Sequence, residues 1–414
     1  MYEKRVLPNG VTVVLDHADG VRSASLGIWV RSGSRYESGD EAGAAHFIEH
    51  MLFKGTDKYT GTELAERMDG LGAEVNAYTS RDCTSYYVRA LDTSLAAAAE
   101  LLGDMFLRSR FDSADMDTER GVILDEIRMY DDMPDDVANE LLVRTCFPGP
   151  LGAPVLGSRE SVLAMSRGTL LSFRARQYVP ANIVVACAGH FRDRDLERLT
   201  GSLAQLPTSA PVPAEPSRYT PGIAVEKRAT EQNQLLLAFP GITYESGERC
   251  TLGIMNAILG GSASSRLYRR LRDEMGLCYD LETFDMTWAD TGLFGIGAAT
   301  SAENEPRALE AIVAELLRFL DDGPTRAEMD RARAQAESGA VLALESTLAR
   351  MRRLGQGELL LGRAMEVDEL LERYSAVTAV DVLSLARRLI DFRQLSVTAL
   401  GDVRPREAYA GLGQ

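Results

Sequence analysis

Histidine and tryptophan are scarce in this chain, which has only 4 histidines and 2 tryptophans among 414 residues. Its five cysteines are scattered, with no Cys-x-x-Cys pair, and this pattern predicts free, mostly buried thiols in a reducing compartment. No apolar run is long enough to span a bilayer, and the N-terminus lacks the apolar core and cleavage site of a secretory signal. We therefore expect a cytoplasmic protein that does not enter the membrane.

Basic charge is also in deficit. The chain carries 61 acidic against 45 basic residues, a net charge of -16. This balance disfavours nucleic acid and anionic membrane surfaces as partners and favours cationic ligands, although the same acidity could serve only to keep the protein soluble. The hydrophobic share of 45% is typical of a globular protein, and the length predicts two to three domains.

The order of predicted strands and helices repeats along the chain. A strand at Ser23–Val30 has a counterpart at 234–239, and the apolar segment 183–189 has one at 395–401. Proline and small residues are dense between 205 and 222. We predict an α+β fold of two homologous halves, each a mostly antiparallel sheet covered by helices. The halves are 1–207 and 223–414, joined by a linker over 208–222. Two unrelated α+β domains are the alternative.

Periodicity and turn residues predict further elements. Residues 6–16 contain a Pro-Asn-Gly turn that leads into a predicted strand. The other predicted strands of the first half include 74–79, 84–91 and 182–188, and its predicted helices include 62–71, 94–107, 113–131 and 169–177. In the second half we predict a helix over 265–275 followed by a strand over 278–284.

Two of the four histidines lie in the segment His46-Phe-Ile-Glu-His50. In a helix, residues four apart share a face, so the two imidazoles can face one metal ion. Glu49 precedes the second histidine and would lie near the open side of the ion, where it could act on a water without being a ligand. This order is the inverted form of the His-Glu-x-x-His zinc protease motif. Chance on an amphipathic helix is the competing explanation.

A zinc site with an open position needs a third protein ligand. Since His17 and His190 are isolated in the sequence, a carboxylate or a thiolate is expected. The acidic helix predicted over 113–131 offers Glu119, Asp125 and Glu126, and the first and last of these lie seven apart on one face. Periodicity does not choose among the three, and each could equally be a solvated carboxylate.

The chain is similar, over almost its whole length, to the pitrilysin-type zinc metallopeptidases with the inverted motif. It is most like the short branch that includes the mitochondrial processing peptidase and its bacterial homologues. In that family a liganding glutamate follows the second histidine at the spacing that separates Glu126 from His50. The resemblance therefore implies one Zn2+ per chain, held by His46, His50 and Glu126. It also implies a supporting role for Glu119, seven positions before the third ligand.

Two further segments carry the resemblance. The segment 72–80 looks like the family's edge strand, which binds substrate backbone by extending the sheet and so predicts broad specificity. Asn76, Ala77 and Tyr78 are its expected substrate-binding residues. Arg272 and Tyr279 are similar to the family's pair seven apart, which reaches the bound peptide across a cavity between two facing halves. Arginine and a phenol suit a carbonyl oxygen that becomes negative in the transition state.

The resemblance implies a zinc metalloendopeptidase that cleaves unfolded peptides of limited length in a closed chamber, and the acidic charge balance favours basic peptides among them. Its expected catalytic residues are Glu49, Glu119, Arg272 and Tyr279. Both parts of the site lie in one chain, which resembles the members that pair as homodimers. Small departures are Asp125, where many relatives have glutamate, and Cys278 beside the tyrosine. The alternatives are a non-catalytic assembly subunit of the same fold and a maturation protease dedicated to one precursor peptide.

Overall fold

The computed structural model describes residues 2–412 of the chain. Within this range eleven strands are present: β1 Glu3–Val6, β2 Thr12–His17, β3 Ser23–Val30, β4 Glu74–Thr79, β5 Thr84–Leu91, β6 Ile183–Gly189, β7 Ile223–Lys227, β8 Asn233–Pro240, β9 Cys278–Thr287, β10 Gly292–Thr300 and β11 Ser396–Gly401.

The same range contains fourteen α-helices and one π-helical segment, Tyr268–Glu274. The helices are α1 Ala44–Leu52, α2 Gly61–Gly70, α3 Leu95–Arg108, α4 Ser113–Asp131, α5 Pro134–Cys146, α6 Arg159–Ala164, α7 Arg167–Gln177, α8 Glu197–Leu203, α9 Arg249–Leu259, α10 Glu305–Asp322, α11 Arg326–Leu342, α12 Thr347–Leu361, α13 Val367–Ala376 and α14 Ala379–Leu389.

The strands form two sheets with one shared plan. The first has the order β1-β2-β6-β3-β5-β4 and the second the order β7-β11-β8-β10-β9. In each sheet a single parallel pair, β2 with β6 or β7 with β11, is followed by three antiparallel pairings, and β1 extends the first sheet alone. The predicted α+β class with a duplicated unit is therefore confirmed.

The chain divides into two compact units, each built around one sheet. Unit one comprises Met1–Arg128, Ala153–Glu215 and Leu342–Glu366, and unit two comprises Met129–Gly152, Pro216–Val341 and Val367–Gln414. The division predicted from sequence made each half continuous, whereas unit one includes α12 from the second half and unit two includes α5 from the first. Each exchanged helix covers a sheet face, which is why it belongs with that sheet.

Both faces of the sheet in unit one are buried at its central strands β3 and β6. One face packs against α1, α3 and α7, where Phe47, Phe106 and Phe173 are nearly inaccessible. The other face carries Trp29 and packs against Met351 of α12. Because neither face meets water at these strands, β6 and the second half of β3 are continuously apolar or glycine instead of alternating with polar residues.

A close contact lets α12 approach this sheet. The indole of Trp29 lies directly against Gly355, where a β-carbon would stand 2.4 Å from Cε3 of the ring. Gly27 on β3 gives the ring the same clearance on its own strand, since a β-carbon there would stand 2.4 Å from Cζ3. Glycine at both positions thus makes room for the largest side chain in the interface.

The sheet of unit two is covered in the same way. Leu142 and Val143 of α5 pack against one face, where Leu236 and Leu400 are buried. Helices α9, α10 and α14 cover the other face. None of the helices among residues 2–412 is both long enough and apolar enough to cross a bilayer.

Some local predictions differ from the structure. The turn and following strand predicted within 6–16 are present, since β2 begins at Thr12 after the Pro-Asn-Gly turn, but strand β1 before that turn was not predicted. Helix α2 begins one residue earlier than predicted, since Thr60 accepts a hydrogen bond from the Glu63 amide and caps it. The helix predicted over 265–275 is largely π-helical.

We predict opposite effects for two glycine-to-alanine changes in helices. Gly355→Ala should lower the free energy of unfolding by roughly 1–3 kcal/mol, since its methyl group overlaps Trp29. Gly339→Ala in α11 is the control, because no atom lies within 4 Å of its β-carbon position. It should raise stability by up to about 1 kcal/mol through helix propensity. Urea denaturation followed by circular dichroism measures both, and equal shifts would contradict the packing argument.

Candidate metal centre

Helix α1 presents both motif histidines on one face. His46 and His50 are one turn apart, with ring centroids 4.6 Å from each other. Phe47, Ile48 and Met51 occupy the opposite side of the helix and are fully buried in the core of unit one. Burial of this apolar side fixes the rotation of the helix, so the imidazoles must face the same way.

The start of α1 is held by a buried carboxylate. Glu37 accepts hydrogen bonds from the amides of Gly43 at 2.7 Å and Ala45 at 2.8 Å. Gly43 has φ +90°, and a β-carbon there would stand 2.7 Å from the carbonyl oxygen of Leu156, so only glycine fits. These contacts fix where the helix begins and therefore where its histidines lie.

The third group at the centre is Glu126 from α4. Its Oε2 lies 3.6 Å from Nε2 of His46 and 3.5 Å from Nε2 of His50. Ligands about 2.0–2.1 Å from a tetrahedral zinc ion are about 3.3–3.4 Å from one another, so these separations fit the ion. Among the described residues, these three form the one group of histidine, cysteine or acidic side chains compact enough to hold a metal, with ligand atoms within 4.8 Å.

The three carboxylates that the sequence left open take different positions. Glu119 Oε2 accepts a hydrogen bond from His50 Nδ1 at 3.0 Å, on the side of the ring away from Glu126. Asp125 is exposed and pairs with Arg128. Metal-binding histidines usually donate their second N–H to an outer carboxylate, so Glu119 fits a supporting role and Glu126 a ligand role. The corresponding Nδ1 of His46 is buried and has no hydrogen-bond partner among the described residues.

The ionisation of this group follows from burial and ion pairing. Burial, helped by the neighbouring His50, lowers the pKa of His46 to about 4. Burial would also lower the pKa of His50, but Glu126 and Glu119 outweigh it and raise that pKa. The hydrogen bond to His50 in turn lowers the pKa of Glu126. A metal ion would displace the proton that this pair holds, as ligands must be deprotonated.

Glu49 lies beside the ligands on α1 and is partly buried. Thr79, the last residue of β4, donates a hydrogen bond from Oγ1 to Glu49 Oε2 at 2.5 Å. Burial is the largest influence on this carboxyl and raises the pKa of Glu49. Thr79 thus anchors one oxygen, which leaves Oε1 as the atom that can exchange a proton. Thr79 was not among the residues predicted from the sequence to belong to the site.

The predicted substrate strand β4 lies at the edge of the sheet in unit one, paired only with β5. Ala77 donates its amide hydrogen to the Asn76 side chain at 2.7 Å. The Tyr78 ring belongs to the core on the α12 side, where its hydroxyl accepts a hydrogen bond from Trp29 at 3.4 Å. Any contribution of Tyr78 to peptide binding would therefore come from its main chain.

Arg272 and Tyr279 lie together in unit two. The Arg272 guanidinium carbon is 4.8 Å from the ring centroids of both Tyr279 and Tyr268, and the guanidinium also donates to the Tyr268 hydroxyl. Tyr279 is 72% exposed at the start of the edge strand β9. Arg272 and Tyr279 were predicted as a pair, but Tyr268 was not predicted to join them. Its position four residues before Arg272 could have indicated the contact.

The remaining histidines take no part in this centre. His17 stacks on Phe191 with ring centroids 4.1 Å apart, and its Nε2 lies 3.3 Å from Asp193. His190 lies 3.7 Å from Asp92. All five cysteines are buried and unpaired, as predicted.

Comparison with protein families matched both halves of the chain. The family described as Insulinase (Peptidase family M16) matches residues 12–159, and the family described as Peptidase M16 inactive domain matches residues 164–336. The uncharacterized zinc protease YmxG of Bacillus subtilis is 35% identical over 94% of this chain and 96% of its own length. An uncharacterized zinc protease of Streptomyces coelicolor is 36% identical over 98% and 90%.

Solved structures share the fold. A protease from Helicobacter pylori superposes with a TM-score of 0.90 at 20% sequence identity, covering 97% of this chain and 99% of that one. A structure from Pseudomonas fluorescens, described as a peptidase M16 inactive domain, also gives a TM-score of 0.90 at 20% identity and covers 98% and 100%.

We predict that Glu126→Gln loses zinc, because it replaces an anionic oxygen ligand by a neutral amide of the same size. The loss of affinity should exceed the roughly 10- to 100-fold typical of outer partners. Asp125→Asn is the matched control, being one residue away on α4 and exposed. Zinc content after dialysis, measured by plasma mass spectrometry, compares the two. A fully loaded Glu126→Gln protein would return Glu119 to consideration as the ligand.

Proposed function

The chain belongs to peptidase family M16, the insulinase family, and on that premise we propose that it is a zinc-dependent endopeptidase acting on unfolded peptides. The observation that carries this proposal is the convergence of Glu126 on the Nε2 atoms of His46 and His50, with Glu49 next to them on α1. We propose one zinc ion per chain at these three ligands.

Zinc in such a set supplies Lewis acidity, which activates water and polarises a peptide carbonyl. Glu49 Oε1 takes a proton from the attacking water and passes it to the nitrogen of the leaving amine. Thr79 holds the other oxygen of Glu49 and thereby aims the carboxylate. Glu119 orients the His50 ring through Nδ1. Each of these roles belongs to a side chain whose partner is observed in unit one.

We propose that β4 binds substrate by its main chain. An edge strand offers unpaired backbone groups to an extended peptide, and such pairing is largely indifferent to side chains. The Ala77 amide donates its hydrogen to the Asn76 side chain in the structure. It would become available to a peptide when the Asn76 side chain moves aside. A folded protein has few free extended segments, so this mode favours unfolded peptides.

We propose that Arg272 and Tyr279 donate hydrogen bonds to substrate carbonyl oxygen during the reaction, as the resemblance implies. Their mutual contact supports a shared role, because the aromatic rings hold the guanidinium in one orientation. The limit on peptide length, the enclosing chamber and the homodimer rest on the resemblance and stay predictions. Preference for basic peptides is proposed from the net charge of -16, and a cytoplasmic location from the unpaired cysteines.

We predict that Glu49→Gln abolishes cleavage while zinc remains bound. Loss of the proton acceptor should reduce kcat by roughly 100- to 10,000-fold, because general acid–base catalysis contributes about that much. Glu66→Gln, an exposed glutamate on α2, is the control and should keep full activity. Hydrolysis of a quenched fluorescent peptide and zinc content are measured on the same samples. Undiminished cleavage by Glu49→Gln would remove this residue from the mechanism.

The same Glu49→Gln protein can identify the substrate. Peptides that co-purify with it are released and sequenced by mass spectrometry. A diverse set supports general peptide clearance, whereas one recurring peptide supports a dedicated maturation protease. Wild-type protein that binds no zinc and cleaves no peptide would instead support a non-catalytic assembly subunit.

We predict that Arg272→Ala lowers kcat by roughly 100-fold, the effect typical of losing one donor to a developing oxyanion. Its zinc content should not change, since Arg272 is not one of the proposed ligands. Arg270→Ala is the matched control from the same π-helical segment, where Arg270 is partly exposed and pairs with Glu274. Steady-state kinetics measure both variants. Equal kinetics for the two would leave Arg272 without a role in the reaction.

A further inference from the structure

Glu119 is a carboxylate with two different partners. Its side chain is only 3% exposed, and its Oε2 holds His50 Nδ1 as described above. Its other oxygen, Oε1, lies 2.6 Å from the Nζ of Lys54. Among the residues that the structure describes, Lys54 is the only lysine or arginine paired with Glu119. One carboxylate thus links an ammonium group to the imidazole of a proposed ligand.

The position of Lys54 is set by the main chain. It follows the end of α1 and donates its amide hydrogen to the carbonyl of Met51 at 3.2 Å. Immediately after it, Gly55 forms a β-bridge with Thr60, and Thr56 forms another with Ser109. The ammonium group is therefore delivered to Glu119 from an anchored turn.

Burial makes this contact different from an ordinary surface ion pair. An exposed ion pair contributes little to stability, because water stabilises the two separate charges nearly as well as the pair does. A buried carboxylate has lost that water and needs charged or hydrogen-bonding partners in its place. When a metal takes the Nε2 of His50, the imidazole is neutral, and Lys54 is then the side-chain cation that compensates Glu119 within the described part of the chain.

Lys54 and Glu119 both line a cavity of about 790 Å³ in unit one. Its apolar walls include Phe53, Leu64 and Met68. Without the ammonium group, Glu119 would be free to turn toward this space and its solvent. The carboxylate would then no longer fix the orientation of the His50 ring.

We propose that Lys54 is a positioning residue of the metal centre, which holds Glu119 against His50 and so tightens zinc binding. This role rests on the proposed zinc function, but the contacts that define it are present without the metal. The proposed role differs from that of a merely structural ion pair, because Lys54 acts on one target, the His50 ring, through Glu119.

The test compares zinc affinity in three single variants by competition with a chromogenic chelator. Lys54→Met keeps the length of the side chain and removes its charge, and it should weaken zinc binding by roughly five-fold, below the effect of residues that contact a ligand directly. Lys54→Arg should restore affinity to within roughly two-fold, since it returns a cation. Wild-type affinity in Lys54→Met would overturn the proposal.

Lys58 provides a matched control on the same turn. Its ammonium group lies 3.2 Å from Asp104, its side chain is 44% exposed against 37% for Lys54, and its partner is 4% exposed. Lys58→Met therefore removes an ion pair to a buried carboxylate that does not lead to a proposed ligand, while Arg108 still pairs with Asp104. Zinc affinity should not change in this variant. An equal loss in Lys58→Met would show a general effect of charge or stability and would overturn the proposal.

A double-mutant cycle tests the route through Glu119. In a Glu119→Gln background, Lys54→Met should cause no further loss of zinc affinity, because the intermediary is already gone. Additive losses would overturn the proposal. A second measurement needs no metal: in protein with 15N-labelled histidine, the His50 Nδ1 proton should be protected from exchange, and Lys54→Met should lose this protection. If wild-type protein binds no zinc, the proposed zinc function is wrong. Exchange of the His50 Nδ1 proton in wild-type protein and in Lys54→Met still shows whether Lys54 orients the His50 ring.

Discussion

The metal centre depends above all on how the first turn of α1 is anchored. Glu37 is 7% exposed and accepts hydrogen bonds from two backbone amides at the start of that helix. Its burial raises the pKa of its carboxyl well above the usual range. A helix start that lacked this partner would leave buried N–H groups unsatisfied. The anchor sets the position of α1 along its axis, and Phe47 and Met51 in the core set its rotation. With both degrees of freedom removed, the helix directs His46 and His50 toward one place, and the hydrogen bond from His50 Nδ1 to Glu119 then fixes the orientation of the second ring.

A second constraint is that each sheet must be covered on both faces. In unit one the face that carries Trp29 is covered by α12, which lies more than 300 residues after that strand in the chain. In unit two the corresponding role falls to α5, which precedes every strand of its sheet. The exchange has a consequence for dissection of the protein. A fragment that ends at the linker would keep His46, His50 and Glu126 but expose the Trp29 face, so we expect a continuous first half to be less stable than the whole chain.

The sequence predicts features that depend on local patterns, and it does not predict those that depend on contacts between distant segments. Local patterns were sufficient for Ser23–Val30, Glu74–Thr79 and Ser113–Asp131, whose bounds in the structure equal those predicted. Alternation and helical periodicity report which face of an element is apolar, and that is a local property. They do not report what covers the face, so the exchanged helices were not foreseen. The same limit applies at the centre: helical spacing left Glu119, Asp125 and Glu126 equivalent, and only the resemblance chose among them. Packing distinguishes them. It places Glu119 against His50 Nδ1, Asp125 in solvent, and Glu126 against the Nε2 atoms of both histidines.

A hydrogen bond connects Glu49 to the proposed substrate strand. Thr79 closes β4 and donates to Glu49, so the strand proposed to bind a peptide also carries the group that orients the proposed catalytic carboxylate. Its neighbour in space, Thr84, begins β5 and lies 3.4 Å from it between hydroxyl oxygens. A change in the register or height of β4 would therefore move the Glu49 carboxylate. Because β4 is an edge strand, it is held from one side only, and a bound peptide would supply the missing second side. In the proposed function, peptide binding and orientation of Glu49 would therefore be coupled, because a bound peptide would stabilise the strand whose last residue holds the Glu49 carboxylate.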